Sequence, residues 1–293
     1  MMSKTILWQA RWNRFATLFK QFLSRWEVVL ACTILALWGI GILFTPWFAA
    51  YNPFDIDIKN RLQPFSANHI FGTDELGRDI WSRILYGGRM TFFSVVLTAG
   101  ITAPLGLFLG MFAGYAGGMI DLIISRTIDL FFAIPRLILA LVFVAILGPG
   151  LLNAAFAVAL TSWPIYARVA RSETIALRNA EFIQAAELQG ASRWRILWRY
   201  LLPLCISSLL VRLSLDLGGI ILSIAGIGFL GLGAQPPTPE WGTMAAQGRT
   251  FLLNQWWVSV MPGIAIFSVC LCFNIIGEAV RDLLDPKREA QCL

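Results

Sequence analysis

Three charged residues, Arg136, Arg212 and Asp216, stand inside long apolar runs of this sequence, and they are where its chemistry is most constrained. A charge facing hydrocarbon costs at least ~2.5–3.5 kcal/mol on insertion scales, so each must face protein, water or a solute. Arg212 and Asp216 are four residues apart, on one face of a helix, and can neutralise each other. The other reading of that pair is a place on a solute path. Arg136 follows Pro135, which removes a backbone donor and frees the carbonyl of Phe131. A guanidinium there keeps its proton and needs acceptors: that carbonyl, Asp216, water or a carboxylate on a cargo. A pathway role, a structural pair with Asp216 and contact with a partner chain all remain open for Arg136. Arg126 and Asp129, nearer the end of their run, suit a plain intrahelical pair.

A second group, Asp74, Arg78, Asp79 and Arg83, alternates in sign at short spacing. It suits a self-satisfied cluster capping the helix that follows, with docking of another protein as the alternative. Neither group is built for catalysis. His69 is the single histidine and lies outside the apolar runs, and no carboxylates cluster inside them. Cys32, Cys205, Cys270 and Cys272 sit in or beside the runs and Cys292 near the end, with no disulfide or zinc spacing. They read as small apolar packing residues. No Gly-x-x-x-x-Gly-Lys-Ser/Thr occurs, and none of the four lysines follows a glycine-rich loop. The expectation is no catalytic residue, no metal site and no cofactor in this chain.

The elements that must hold these residues are membrane helices. Of 293 residues, 57% are hydrophobic and only 14% charged, too little charge to cover a soluble domain of this size. Uncharged runs at 28–50, 90–120, 137–167, 217–239 and 250–277 reach the ~20 residues that cross a bilayer. They are apolar on every face, unlike barrel strands. The first is too long and starts too late for a cleaved signal peptide.

The net charge of +6 raises the question of nucleic acid, but its distribution points to membrane orientation instead. Lys4, Arg11, Arg14, Lys20 and Arg25 precede the first run with no acidic residue among them, placing that end in the cytoplasm. Residues 1–26, with Trp8, Trp12, Phe15, Phe19 and Phe22, read as an amphipathic lead-in lying on the inner headgroup layer. From there the chain reads as all-α, a polytopic membrane protein with six transmembrane helices. Spans at 27–48, 90–114, 121–147, 151–170, 203–232 and 258–280 put both termini inside. Residues 49–89 form an external segment, 90–280 a five-helix core, and 281–293 a cytoplasmic tail. Small residues spaced by four, such as Gly106, Gly110 and Gly114, suit close helix packing, as do Gly218, Gly219, Gly226 and Gly228 in the fifth span.

The cytoplasmic stretch 171–202 is the longest polar segment between the middle spans. From Glu181 it reads as two short helices meeting at Gly190, a residue free to turn a left-handed corner. Trp194, Leu197, Trp198, Leu201 and Leu202 fall on one stripe of the second helix, flanked by Arg195 and Arg199, and Pro203 separates it from the next span. Ala185 and Ala186 are small enough for another surface to close over the first helix. The design suits a protein groove.

Ala185-Ala186-x-x-x-Gly190, followed by hydrophobics and Leu202-Pro203, resembles the coupling loop of binding-protein-dependent ABC importer permeases. Gln184 stands where that family usually has glutamate, so no salt bridge is inferred there. Phe71–Arg83 with Gly88-Arg89, Gly228–Gly242 and Asn274–Pro286 resemble further signatures of the dipeptide, oligopeptide and nickel group, with Glu278 at a usual aspartate. The resemblance covers roughly 25–288 and is to the second of two permease subunits. It implies a bacterial inner-membrane location, a second homologous permease, two ATPase subunits holding ATP and magnesium, and an external solute-binding protein. ATP-driven closure of the ATPases would then tilt the middle spans and expose a cavity alternately to each side.

Two rival readings fit less well. A secondary transporter would show an inverted repeat with broken helices, and none is visible. A membrane hydrolase lacks the residues to build a site. The cargo is left open among dipeptides, longer peptides, nickel and metal chelates.

Overall fold

The computed structural model describes residues 22–284; the lead-in up to residue 21 and residues 285–293 lie outside the described residues. Nine helices carry the argument: α1 (Trp26–Leu43), α2 (Ile80–Ala116), α3 (Gly118–Phe132), α4 (Arg136–Leu147), α5 (Leu151–Leu177), α6 (Glu181–Leu188), α7 (Arg193–Phe229), α8 (Trp241–Gly248) and α9 (Trp257–Leu284). No strand occurs among the described residues; an isolated bridge joins Thr73 and Asp79.

Four of these, α1, α2, α7 and α9, are each long and apolar enough to cross a membrane, and α3 with α4 makes a fifth if counted as one bent span. The 27-residue α5 is long enough but less apolar, because much of its surface is small and packed against neighbouring helices. The six-span expectation therefore depends on counting α5. α1 shows the opposite habit. It is apolar all round, yet only Val28, Ala31 and Ile42 are buried, the pattern of a helix bathed in lipid.

The centre of the bundle is the seam between α2 and α5. Gly106, Gly110 and Gly114 let backbone meet backbone there: a β-carbon on Gly110 would collide with the Ala167 carbonyl. Thr98 donates its hydroxyl across the seam to the Ala155 carbonyl at 3.1 Å. α7 and α9 meet in the same way at Gly277, where a β-carbon would lie 2.8 Å from the Ser214 carbonyl.

The span read from the sequence as 121–147 is two helices, and the irregularity expected at Pro135 is a full break. α3 and α4 are bent by 94° at Ala133–Pro135. Pro135 has no N–H to donate into the preceding turn, and it steers Ile134 out of the helical region. A second difference lies at Pro203, which does not separate the preceding helix from the span. α7 runs through it, because Ile196–Leu201 is wound as a π-helix whose wider bonding absorbs a residue without a donor. α2 also starts ten residues earlier than the sequence suggests, capped at Asp79.

Candidate solute pathway and coupling surface

Asp216 of α7 falls between two apolar clusters. One contains Ile220, Ile224, Val144 and Trp241, the other Leu209, Cys205, Tyr166 and Leu201. Being a carboxylate in that setting, it needs partners, and two other helices supply them. Arg136, the first residue of α4, brings Nη1 to 3.0 Å from Oδ1 and 3.4 Å from Oδ2. Tyr166 of α5 donates its hydroxyl to Oδ2 at 3.0 Å. The helix break places Arg136 there, since a continuous helix would carry it past this level.

Arg212 lies one helical turn before Asp216 but makes no ion pair among the described residues. The intrahelical Arg212–Asp216 pair suggested by spacing is thus replaced by an interhelical one. Arg136 Nε and Nη2, and Arg212 Nε, are buried with no hydrogen-bond partner. An unsatisfied buried donor costs about 1–3 kcal/mol, more when charged. Asp129 faces both Arg126, at 3.9 Å, and Arg168 of α5, at 3.2 Å, with all three well exposed.

At the start of α2, Asp74, Arg78 and Arg83 come together, with Asp79 capping the helix beside them. Asp74 accepts from the Leu76 and Arg78 backbone N–H groups at 2.9 and 3.0 Å and from Arg78 Nε at 2.7 Å. Arg83 Nε lies 3.5 Å from Asp74, and its Nη1 donates to the Pro53 carbonyl. Burial beside Arg78 pulls the Arg83 guanidinium down to about 10. Asp79 accepts from Ser82 N at 2.8 Å as the N-cap of α2, and from His69 Nδ1 at 2.9 Å. All four side chains are buried. Nearby, Glu240 is fully enclosed and accepts from Gly242 N and Thr243 N to start α8; burial pushes its carboxyl up.

The stretch 181–202 folds as a tight corner. Gly190 adopts φ +79°, and the Ala191 N–H returns to the Ala186 carbonyl at 3.0 Å. Ile183 and Ala186 of α6 turn inward against Ile196, Leu197 and Leu201. The stripe expected on the second helix splits, because π winding changes the periodicity: Leu197 and Leu201 are buried, while Trp194 and Trp198 are 66% and 49% exposed. Glu181, Phe182, Gln184, Ala185, Leu188, Arg195 and Arg199 face outward. A cleft of about 450 Å³ opens beside this corner, lined by Tyr115, Arg178, Glu187, Arg193, Trp194 and Leu197. Tyr115 at the end of α2 donates to Glu187 Oε1 at 3.2 Å, and Arg178 donates to the Gly114 carbonyl at 3.0 Å.

Sequence reasoning missed Tyr166 and Tyr115. The available signal was a phenol hydroxyl at an otherwise small or apolar position, which needs a partner when buried. No cluster of three potential metal ligands exists among the described residues.

Residues 106–289 match the family described as binding-protein-dependent transport system inner membrane component. A probable D,D-dipeptide transport system permease protein, DdpC of Escherichia coli (strain K12), is 42% identical over 88% of this chain and 87% of its own. The nickel transport system permease protein NikC of the same organism is 42% identical over 90% of this chain and 95% of its own. The glutathione transport system permease protein GsiD of Pectobacterium atrosepticum is 40% identical over 96% and 91%. An inward-facing structure of the MetNI methionine ABC transporter shares the fold, with a TM-score of 0.53 at 19% identity over 69% of this chain and 97% of that one. The chain belongs to the family of inner membrane permease components of binding-protein-dependent transport systems.

Proposed function

We propose that this chain is one of two different permease subunits of an ATP-driven importer, moving a small solute by alternating access. It spans the membrane six times with both termini in the cytoplasm, and residues 90–280 form the transport core. The chain has no phosphate-binding loop, so ATP and its magnesium belong to two partner ATPase subunits. An external solute-binding protein delivers the cargo. Relatives named for D,D-dipeptide, nickel and glutathione transport support a cargo of that size and kind.

The observation that carries this reading is the surface of the α6–α7 corner. One face is packed into the bundle through Ile183, Ala186, Leu197 and Leu201. The other presents Leu188, Trp194 and Trp198, exposed among the described residues, beside Arg193, Arg195 and Arg199. An apolar patch rimmed by cations on a polar face marks a protein interface. Docked into an ATPase groove, it would pass motion directly into α7, since the second helix of the corner and the span are one helix.

The charge cluster supports a structural role for 49–89, since Asp74, Arg78 and Arg83 pair among themselves and Asp79 caps α2 and holds His69. Purification through a tag on this chain tests the assembly: a second permease and an ATPase should come with it in detergent. A Leu188→Asp, Trp194→Glu double variant should lose the ATPase and keep the permease. If the ATPase stays bound to that variant, the corner is not the docking surface.

A further inference from the structure

The charge balance at the α4–α5–α7 junction is incomplete. Arg136 and Arg212 bring two cations to one level, and Asp216 brings one anion. Arg212 stands one helical turn before Asp216 on α7, and Asp216 is the residue that Arg136 contacts from α4, so the two cations flank the same carboxylate level. Asp216 is spent on Arg136 Nη1 and on Tyr166. Three N–H-bearing nitrogens, Arg136 Nε and Nη2 and Arg212 Nε, stay buried and without an acceptor.

The twelve-residue α4 begins at this point, and no side chain caps it. Its first backbone N–H groups add partial positive charge beside the two arginines. A broken helix whose N-terminus faces an intramembrane charge is a recurring way to hold an anionic solute group in a transport path. Arginine's planar fork fits a carboxylate in two-point fashion.

Resting on the importer reading above, we infer that Arg136, Arg212 and the N-terminus of α4 form a transient site for a carboxylate of the cargo within the translocation path. Asp216 and Tyr166 are positioning residues: they hold Arg136 at this level and leave one net positive charge unmatched. The site prefers cargo with a free carboxylate, such as a peptide C-terminus. An uncharged amide lacks the second acceptor oxygen and the charge.

The experiment uses the whole importer in lipid, with ¹⁵N-arginine in this chain and dialanine carrying ¹³C at its carboxylate. Dipolar-dephasing solid-state NMR should show that carboxylate carbon in direct contact with guanidinium nitrogens. Arg212→Gln should abolish or halve the dephasing; it breaks no ion pair, so its assembly should match the wild type. Arg136→Lys should reduce it as well, and dialanine amide labelled at the equivalent carbon should give none. Absence of contact in a complex that imports dialanine overturns the site. So does contact from ¹³C-labelled carboxylates of the partner permease without cargo, which would make the anion a subunit contact. ATP-dependent uptake in the same vesicles is scored separately: import of nickel but not of dialanine or glutathione by the wild type overturns the carboxylate site, and import of none of the three counts against the importer reading instead.

Discussion

Removing the carboxylate of Asp216 would take away the ion pair of Arg136 and the acceptor of Tyr166 in one step. Breaking a buried pair on one side costs about 3–5 kcal/mol, because the remaining charge stays desolvated. Asp216→Asn should therefore lower the amount of folded subunit in the membrane, read by detergent-resistant chromatography. The double variant Arg136→Gln, Asp216→Asn should recover much of it, and a double variant as poor as the single one would refute a pairwise account. Tyr166→Phe removes one neutral-to-charged hydrogen bond, worth about 1.5–3 kcal/mol, and should act in the same direction but less. At the external end, Asp74→Ala should also reduce folded subunit, because it orphans Arg78 and Arg83, both almost fully buried. Normal folding with weaker docking of a binding protein would assign that cluster to recognition instead.

Two elements carry the mechanical argument. Gly190 turns the α6–α7 corner at φ +79°, where a β-branched side chain is strongly disfavoured. Nothing crowds its α-carbon, so the penalty is conformational, on the order of 1–2 kcal/mol, and local. Gly190→Val should insert and assemble yet uncouple ATP hydrolysis from uptake, measured as ATPase rate against solute imported in the same vesicles. Unchanged coupling would show that the corner's shape does not matter. Gly110 makes the opposite case: its φ is ordinary, but a β-carbon would strike the Ala167 backbone. Gly110→Val should separate α2 from α5 and deplete the protein from the membrane altogether.

The whole molecule is a bundle whose lipid-facing and packed helices differ in composition. α1 keeps apolar residues on every face, and α5 spends its positions on alanine, threonine and serine that fit between neighbours. Labelling of single introduced cysteines reads the orientation directly. Leu188→Cys should react only with reagent on the cytoplasmic side and Leu253→Cys only on the outer side; both positions are almost fully exposed. Reaction of both from one side would overturn the six-span topology. If the α6–α7 corner docks an ATPase as proposed, the bundle gives motion there a route to the middle of the membrane. α7 is one continuous helix from Arg193 past Asp216, so a displaced corner moves the residue that anchors Arg136.

Much of this was legible in the residues alone. Helical class follows from run length and from apolar residues on every face, both properties of the chain by itself. The corner at Gly190 was readable because glycine acts on the backbone locally, through torsion, whereas Pro203 did not end its helix as expected. What tertiary structure decided was partnership. Spacing offered Arg212 to Asp216, one turn away, but the ion pair went to Arg136, eighty residues distant, because a 94° break brought the start of α4 to that level. Likewise the tryptophan stripe divided when Ile196–Leu201 wound as a π-helix, a choice set by Pro203 and by packing beneath. Local propensity depends on neighbours in sequence. The choice of acceptor for a buried charge depends on which helices meet, and that is decided only when the bundle closes.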